Sequence, residues 1–477
     1  MRIMFISKGR SDINKWVNIA KLVQKEVGNQ LQVVIVTACD MNLDIPDWIE
    51  IVDAYSTFDS FKLGCANLNE SDIGNKLMKL SSYVSPSAYR SDMKYIYRSE
   101  KERNLGLEQL YITKKSVEII QKYQPTLLFV AGAGTLIRTV FFSVACSLNI
   151  DSFRVLRAHH MNKDRKGVRY FFCDNDLGGL PVKNTKLLNH NDSAIEEYAK
   201  NLIDDIKSRT HQFDKYSRSV GRYWRVSKPG IGFLKDTAKY VYHSIKNKDN
   251  LSKKTLEYKI TCRFRAMRQN HLFMEPSELK GKFVLFSLNV PVDAQLRLRA
   301  KEYSNTEGVI GLLASNLPLG YTLAVKLHPG NPGMLSTGTI NRIRKKFNNV
   351  VFLSHEVSLF EQIKRCTAVV IINGNSTIES AIMHKPCIYL GSAYLSKMPN
   401  CFKLSSFGQL EAILTEIESS QLEYKDSDIG NVLQDFYKWT FPLITKGEGK
   451  APTNRQEIMA QGISEIVRST DVLSKAS

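Results

Sequence analysis

Eight cysteines are scattered singly through 477 residues, and no two are spaced as a CxxC pair. That pattern excludes a zinc ribbon and a dithiol redox centre, and most of the eight lie in or beside apolar runs, as small core residues of a reducing compartment do. The nine histidines include no HxxxH pair, so no metal is expected. No apolar run approaches the roughly 20 residues that a membrane span needs. The run Ile3 to Ile6 is too short for a signal-peptide core, and Lys8 and Arg10 follow it, so the expected location is the cytoplasm. The stretch Gly132, Ala133, Gly134, Thr135 lacks the third glycine of a dinucleotide fingerprint. It reads as a tight turn that exposes backbone amides, and no cofactor is expected.

Carboxylates are scarce relative to bases: 47 Asp and Glu stand against 66 Lys and Arg, a net charge of +19. The excess is local. Lys207 to Arg268 holds 17 Lys and Arg against 4 Asp and Glu, interleaved with Tyr216, Tyr223, Trp224, Tyr240 and Tyr258. Such a segment can lie on an anionic membrane surface, grip a polyanion or form a solvated helical arm. Nucleic acid is the least favoured of these partners. Peripheral association with the inner membrane face is expected, because each lysine near an anionic surface contributes about 1 kcal/mol.

What is present in abundance is alternation. Apolar runs at 283 to 288, 321 to 327, 350 to 353, 368 to 372 and 387 to 390 are interleaved with helical stretches near 305 to 316, 338 to 347, 358 to 365, 376 to 384 and 407 to 418. This predicts βαβ units and a parallel sheet. The N-terminal part repeats the theme: strands at Met1 to Ile6, Leu31 to Thr37, Thr126 to Val130, Ser152 to Leu156 and Val168 to Cys173, with helices near 12 to 27 and 136 to 148. Residues near 55 to 105 are polar with weak helical signals and read as an insertion or lid. The expected fold class is α/β, two Rossmann-like domains with a basic helical connector. The expected segments are an N-terminal Rossmann-like domain at 1–200, the connector at 201–281, a C-terminal Rossmann-like domain at 282–420 and a helical tail at 421–477, its last helix packing back on the first domain.

Two polar motifs follow strands of the second domain. Lys326, Leu327, His328, Pro329, Gly330 closes one run; Asn373, Gly374, Asn375, Ser376, Thr377, Ile378, Glu379 closes another and opens a helix. Strand ends of an open parallel sheet feed one crevice, so both motifs are expected at one nucleotide site. A lysine at a strand end can neutralise a phosphate, while Ser376 and Thr377 beside a helix start can donate to it. Gly391 after the fifth run would let a ligand or loop approach the backbone. Glu379 is equally readable as a first-turn helix charge. In the N-terminal domain His160, Asp174 and Asp176 belong to a dense run of titratable groups beside the strand Val168 to Cys173. Asp174, Asn175, Asp176 has the spacing of a metal-binding DxD, and is read as catalytic or structural rather than as a metal clamp.

From Phe283 to Gly391 the chain resembles bacterial capsule and surface-polysaccharide biosynthesis glycosyltransferases of the GT-B fold. The resemblance rests on Phe286, Ser287, Leu288; Pro291, Val292, Asp293; Asn316 to Tyr321; Lys326 to Pro329; and Asn373 to Ala381 followed by Lys385, Pro386 and Gly391. The usual family form is close to NGTxGxEA and GKPVIxxG. Here Asn375, Thr377, Ser380 and His384 stand in place of the threonine, second glycine, alanine and first glycine. The resemblance implies sugar transfer from a nucleotide-sugar donor, with members using CMP-activated acidic sugars such as Kdo, to a glycan or glycolipid acceptor. It implies that His328, Pro329, Lys326, Asn373, Gly374, Ser376, Thr377 and Glu379 surround the donor. Such a transfer needs a base for the acceptor hydroxyl, and Asp174, Asp176 and His160 are the candidates. The rival readings are a CDP-linked polyol phosphate transferase, a nucleotide-sugar epimerase and a non-catalytic polyanion-binding protein.

Overall fold

The computed structural model describes residues 1–28, 31–38, 45–83, 102–132, 135–158, 169–173, 192–208, 238, 242, 261–262, 264–290, 296, 300–328, 332–391, 397–420, 423–441 and 454–474. The first stretch runs β1 (Arg2–Ile6), α1 (Arg10–Val27), β2 (Gln32–Thr37), β3 (Ile49–Asp53), α2 (Phe58–Gly64), α3 (Glu70–Lys79), α4 (Glu102–Tyr123), β4 (Leu127–Ala131), α5 (Leu136–Ser147), β5 (Asp151–Arg157), β6 (Tyr170–Cys173) and α6 (Asp192–Lys207). There follow β7 (Lys282–Ser287), α7 (Thr306–Ser315), β8 (Tyr321–Lys326), α8 (Thr337–Lys346), β9 (Val350–Leu353), α9 (Leu359–Arg365), β10 (Ala368–Ile371), α10 (Ser376–Ile382), β11 (Cys387–Tyr389), β12 (Cys401–Lys403) and α11 (Leu410–Ser419). The described chain closes with α12 (Asp426–Tyr437) and α13 (Arg455–Ser474). Two compact units result, one of residues 1–199 and 433–477, the other of residues 200–432.

Unit 1 is a sheet ordered β3-β2-β1-β4-β5-β6, and unit 2 a sheet ordered β12-β11-β10-β7-β8-β9. Read outward from the first strand of each, both orders reverse direction once, the doubly wound arrangement of a Rossmann domain. The expected α/β class with two Rossmann-like domains is thus borne out. The runs that signalled strands are continuous rather than alternating because both faces are covered: Phe283, Val284, Leu285 and Phe286 are all buried, and so are Ile3 to Ile6. In unit 1 the ring of Trp16 on α1 stacks on Phe5 at 4.5 Å, and Phe5 meets Phe129 at 5.9 Å. The helix expected near 455 to 467 is α13. Ile458, Met459, Ile463 and Val467 share a core with Trp16 and Ile3, which ties the end of the chain to its beginning.

Of the polar stretch near 55 to 105, expected as an insertion or lid, residues 55–83 and 102–105 are described, and there α2 and α3 pack on α4 through Phe61, Ile73, Leu77, Leu107 and Leu110. Two features depart from the sequence reading. β6 pairs antiparallel with β5 rather than extending the parallel set. The edge strands β3 and β12 carry little apolar signal because an edge strand is covered on fewer sides, and Ile51, Val52 and Cys401 are only half-buried. The connector expected at 201 to 281 falls largely outside the described residues.

Candidate functional site

The sheet register of unit 2 defines the site. Ser287 pairs with Lys326, and Lys326 with Leu353. Val370 pairs with Phe286, and Ile371 with Tyr389. Two residues beyond that level, one row crosses five strands: Gly391, Asn373, Asn289, His328 and His355. β7 is the central member, with β10 on one side and β8 on the other, so the row spans the point where the strand order reverses. A crevice opens at that point in such sheets.

Direct contacts hold the row. Asn289 Nδ2 donates to the carbonyl oxygen of Asn373 at 2.5 Å, bridging β7 and β10. Asn373 is buried, and its side chain lies against Gly391 so closely that a Cβ there would stand 2.4 Å from Oδ1. Gly391 thus admits a side chain of the same unit. Gly374 has φ +143, a conformation that side chains rarely adopt, and turns the chain from β10 into α10. Asn375 is the N-cap residue but its side chain makes no capping bond. Ser376 is half-buried at the helix start.

On the other side, Lys326 is turned inward. Its Nζ donates to the carbonyl oxygens of Leu327 at 2.8 Å and His355 at 3.3 Å, which joins the ends of β8 and β9. Burial lowers its pKa to about 7, so near neutral pH it stands between its charged and neutral forms. Burial, with the Lys326 charge second, lowers His328 to about 4, and the same causes lower His355 to about 4. Both imidazoles are neutral at physiological pH and serve as hydrogen-bonding groups rather than as charges.

The eight donor residues expected from sequence therefore divide. His328, Asn373, Gly374 and Ser376 come to the row or its turn. Lys326 lies beneath it. Thr377 and Glu379 are buried, the Thr377 side chain lying against the Cys387 thiol. Pro329, His160, Asp174 and Asp176 lie outside the described residues. Asn289 and His355 were missed. The available signal was positional, since His355 follows Leu353 at the same interval as His328 follows Lys326.

These pKa values carry a pH prediction. His355 has a folded value of about 4 against 6.5 ordinarily, so the unfolded chain takes up a proton first as pH falls. Its contribution is intact above about 6.5 and is lost as pH falls towards 4. Lys326 acts with the same sign at higher pH, because its depressed value makes stability rise between about 7 and 10.5. For His355 the shift corresponds to about 3 kcal/mol. Urea unfolding of His355→Gln at pH 7.5 and 4.5 is expected to show a smaller acid loss than the parent; an equal loss would assign the acid sensitivity elsewhere.

A doubly wound α/β unit with a polar strand-end row at its reversal point has the arrangement in which such sheets bind ligands. Residues 231–398 match the model of a family described as capsule polysaccharide biosynthesis protein. The matched segment contains the stretch from Phe283 to Gly391, and over it the resemblance to capsule polysaccharide biosynthesis proteins is borne out. Among curated proteins none matches significantly. Similar solved structures include the β-Kdo 2,7 transferase KpsC of Thermosulfurimonas dismutans, at 10% identity over 73% of this chain and 89% of that one, with a TM-score of 0.33. The UDP-GlcNAc 2-epimerase of Methanocaldococcus jannaschii aligns at 12% identity over 98% and 99%, with a TM-score of 0.26. The glycosyltransferase VinC, solved with dTDP, aligns at 11% identity over 99% and 100%, with a TM-score of 0.27. Likenesses this loose say nothing of substrate.

Proposed function

We propose that the chain is a glycosyltransferase whose unit 2 binds a nucleotide-sugar donor, specifically a CMP-activated acidic sugar such as Kdo, and that the acceptor is a capsule or surface glycan. The observation that carries this reading is the row Asn373, Asn289, His328 at the reversal point of the sheet, inside the segment that matches the capsule family. Neutral His328 supplies a hydrogen bond to the nucleotide, and Ser376 with the adjoining backbone amides supplies donors to its phosphate. Lys326 acts as a positioning residue through the Leu327 and His355 carbonyls. An anion bound nearby favours its charged form, so donor binding near neutral pH takes up a proton. Charge that builds on the departing nucleotide phosphate is then met by fixed donors in a desolvated place. Asp174, Asp176 and His160 remain the proposed bases for the acceptor hydroxyl.

Calorimetry with CMP and UDP, on the parent and on His328→Ala, tests the donor assignment. CMP binding that the variant loses is the expected result. Equal binding by the variant, or preference for UDP, would remove the CMP-sugar reading. No described helix is long and apolar enough to cross a membrane. The basic segment from Lys207 to Arg268 is proposed to hold the protein on an anionic inner-membrane surface, where a lipid-borne acceptor would sit. Sedimentation with anionic vesicles at low salt and release at high salt is expected; a protein that stays in solution at low salt would refute it.

A further inference from the structure

The last part of the basic segment folds into unit 2. Residues 261–262 and 264–268 are helical, and Cys262, Ala266 and Gln269 are buried. Their spacing puts all three on one helix face, and the small residues at the first two positions let another backbone come close. That backbone is Gly333. Its φ is +72, and a Cβ there would stand 1.9 Å from the carbonyl oxygen of Cys262 and 2.9 Å from the backbone nitrogen of Ala266, so only glycine fits. Arg265 donates to the carbonyl oxygen of Gly333 at 3.2 Å. Gln269 Nε2 donates to the carbonyl oxygen of Leu335 at 2.8 Å and to Thr337 Oγ1 at 3.3 Å. A few residues on, the Met274 N–H donates to the carbonyl oxygen of Phe352 on β9 at 2.9 Å, which fastens the stretch to the sheet.

What these contacts hold is the return of the loop that starts at His328. β8 ends at Lys326 and α8 begins at Thr337, so residues 327–336 join them. The start is fixed by the bond from the Leu327 N–H to the Leu353 carbonyl oxygen at 3.2 Å, and the finish by Ser336, whose Oγ accepts from the Thr339 N–H at 3.0 Å. Gly333 and Leu335 are pinned between the two, and Leu335 also packs on the core of the unit. Each pinned residue removes conformations that the loop would otherwise lose on binding a ligand, so His328 is held nearer to its binding geometry beforehand. The segment that matches the capsule family begins at 231, ahead of β7, and so includes this stretch.

We infer that Arg265, Gln269 and Gly333 are positioning residues of the nucleotide site, which fix the loop after His328 and make the end of the basic segment part of the donor-binding machinery. The role rests on the reading of unit 2 as the nucleotide-binding unit. Calorimetry with CMP and UDP is run on the parent, Gln269→Leu, Arg265→Leu and Arg265→Lys at a temperature where all are folded, and hydrogen exchange over residues 327–340 is followed without nucleotide. Gln269→Leu is expected to exchange faster and to bind the parent's preferred nucleotide roughly tenfold more weakly, because a buried carbonyl loses its donor. Arg265→Leu should lose less, and Arg265→Lys, which keeps a donor, should bind as the parent does; this pair decides if Gln269→Leu does not fold. Added to His328→Gln, Gln269→Leu should cost less than it does alone, since both act through one contact, whereas added to Ser376→Ala it should cost the same. Equal nucleotide affinity in the parent and in both Leu variants overturns the role, and so does an undiminished loss in the His328→Gln background. A parent that binds neither nucleotide removes the donor reading itself, and the role with it.

Discussion

Replacing Gly391 by alanine is expected to weaken nucleotide binding by more than tenfold and to lower the unfolding temperature. The added Cβ would lie 2.4 Å from Asn373 Oδ1 and 2.7 Å from both Cγ and Nδ2. Asn373 is only 2% exposed and has no room to retreat, and its carbonyl is held by Asn289. Overpacking of this kind costs roughly 1–3 kcal/mol. The displacement falls on the turn that carries Gly374 and Ser376, so function should suffer more than stability. The double variant Gly391→Ala/Asn373→Gly removes the obstructed side chain. Recovery of the thermal midpoint in the double variant, with nucleotide binding still impaired, is the expected pattern. A single variant that binds CMP as the parent does would show that the Asn373 turn plays no part in the site.

The second large effect concerns the core of unit 1. Asp12 and Arg138 are each 6% exposed and paired with one another, and burial pushes the Arg138 pKa down while Asp12 opposes it. Removing one partner leaves the other charge uncompensated, a loss of roughly 3–5 kcal/mol. Asp12→Ala is therefore expected to destabilise unit 1 by that amount in chemical denaturation. Asp12→Leu/Arg138→Met, which replaces both charges by apolar groups, should recover most of it. A loss below about 1 kcal/mol for Asp12→Ala would mean that the pair is open to solvent.

Much of both units was legible because a strand covered on both faces needs a continuous apolar run, and turns between such runs need polar residues. Lys282–Ser287, Tyr321–Lys326 and Ala368–Ile371 lie where the runs predicted strands, and each of the helices α7 to α11 lies within or beside its predicted stretch. The two motifs at His328 and Asn373 were legible for the same reason, since each breaks an apolar run. The direction of β6 was not, because a short apolar run reads the same in either direction. Nor was the inward turn of Lys326: a lysine closing a strand is written identically whether its ammonium meets water or the carbonyls of Leu327 and His355.

What the amino-acid sequence determined by itself was the alternation of strand and helix, hence two α/β units, and the identity of the polar residues at the strand ends. Those follow from local rules of burial period and turn chemistry. Tertiary structure alone decided which strand ends stand together, because register aligns residues that are up to 102 positions apart, from Asn289 to Gly391. It also decided that Thr377 and Glu379 are buried, since the orientation of a helix as short as Ser376–Ile382 is set by what packs against it. The docking of α13 along α1 belongs to the same category, driven by the apolar faces that meet at Trp16 and Ile463.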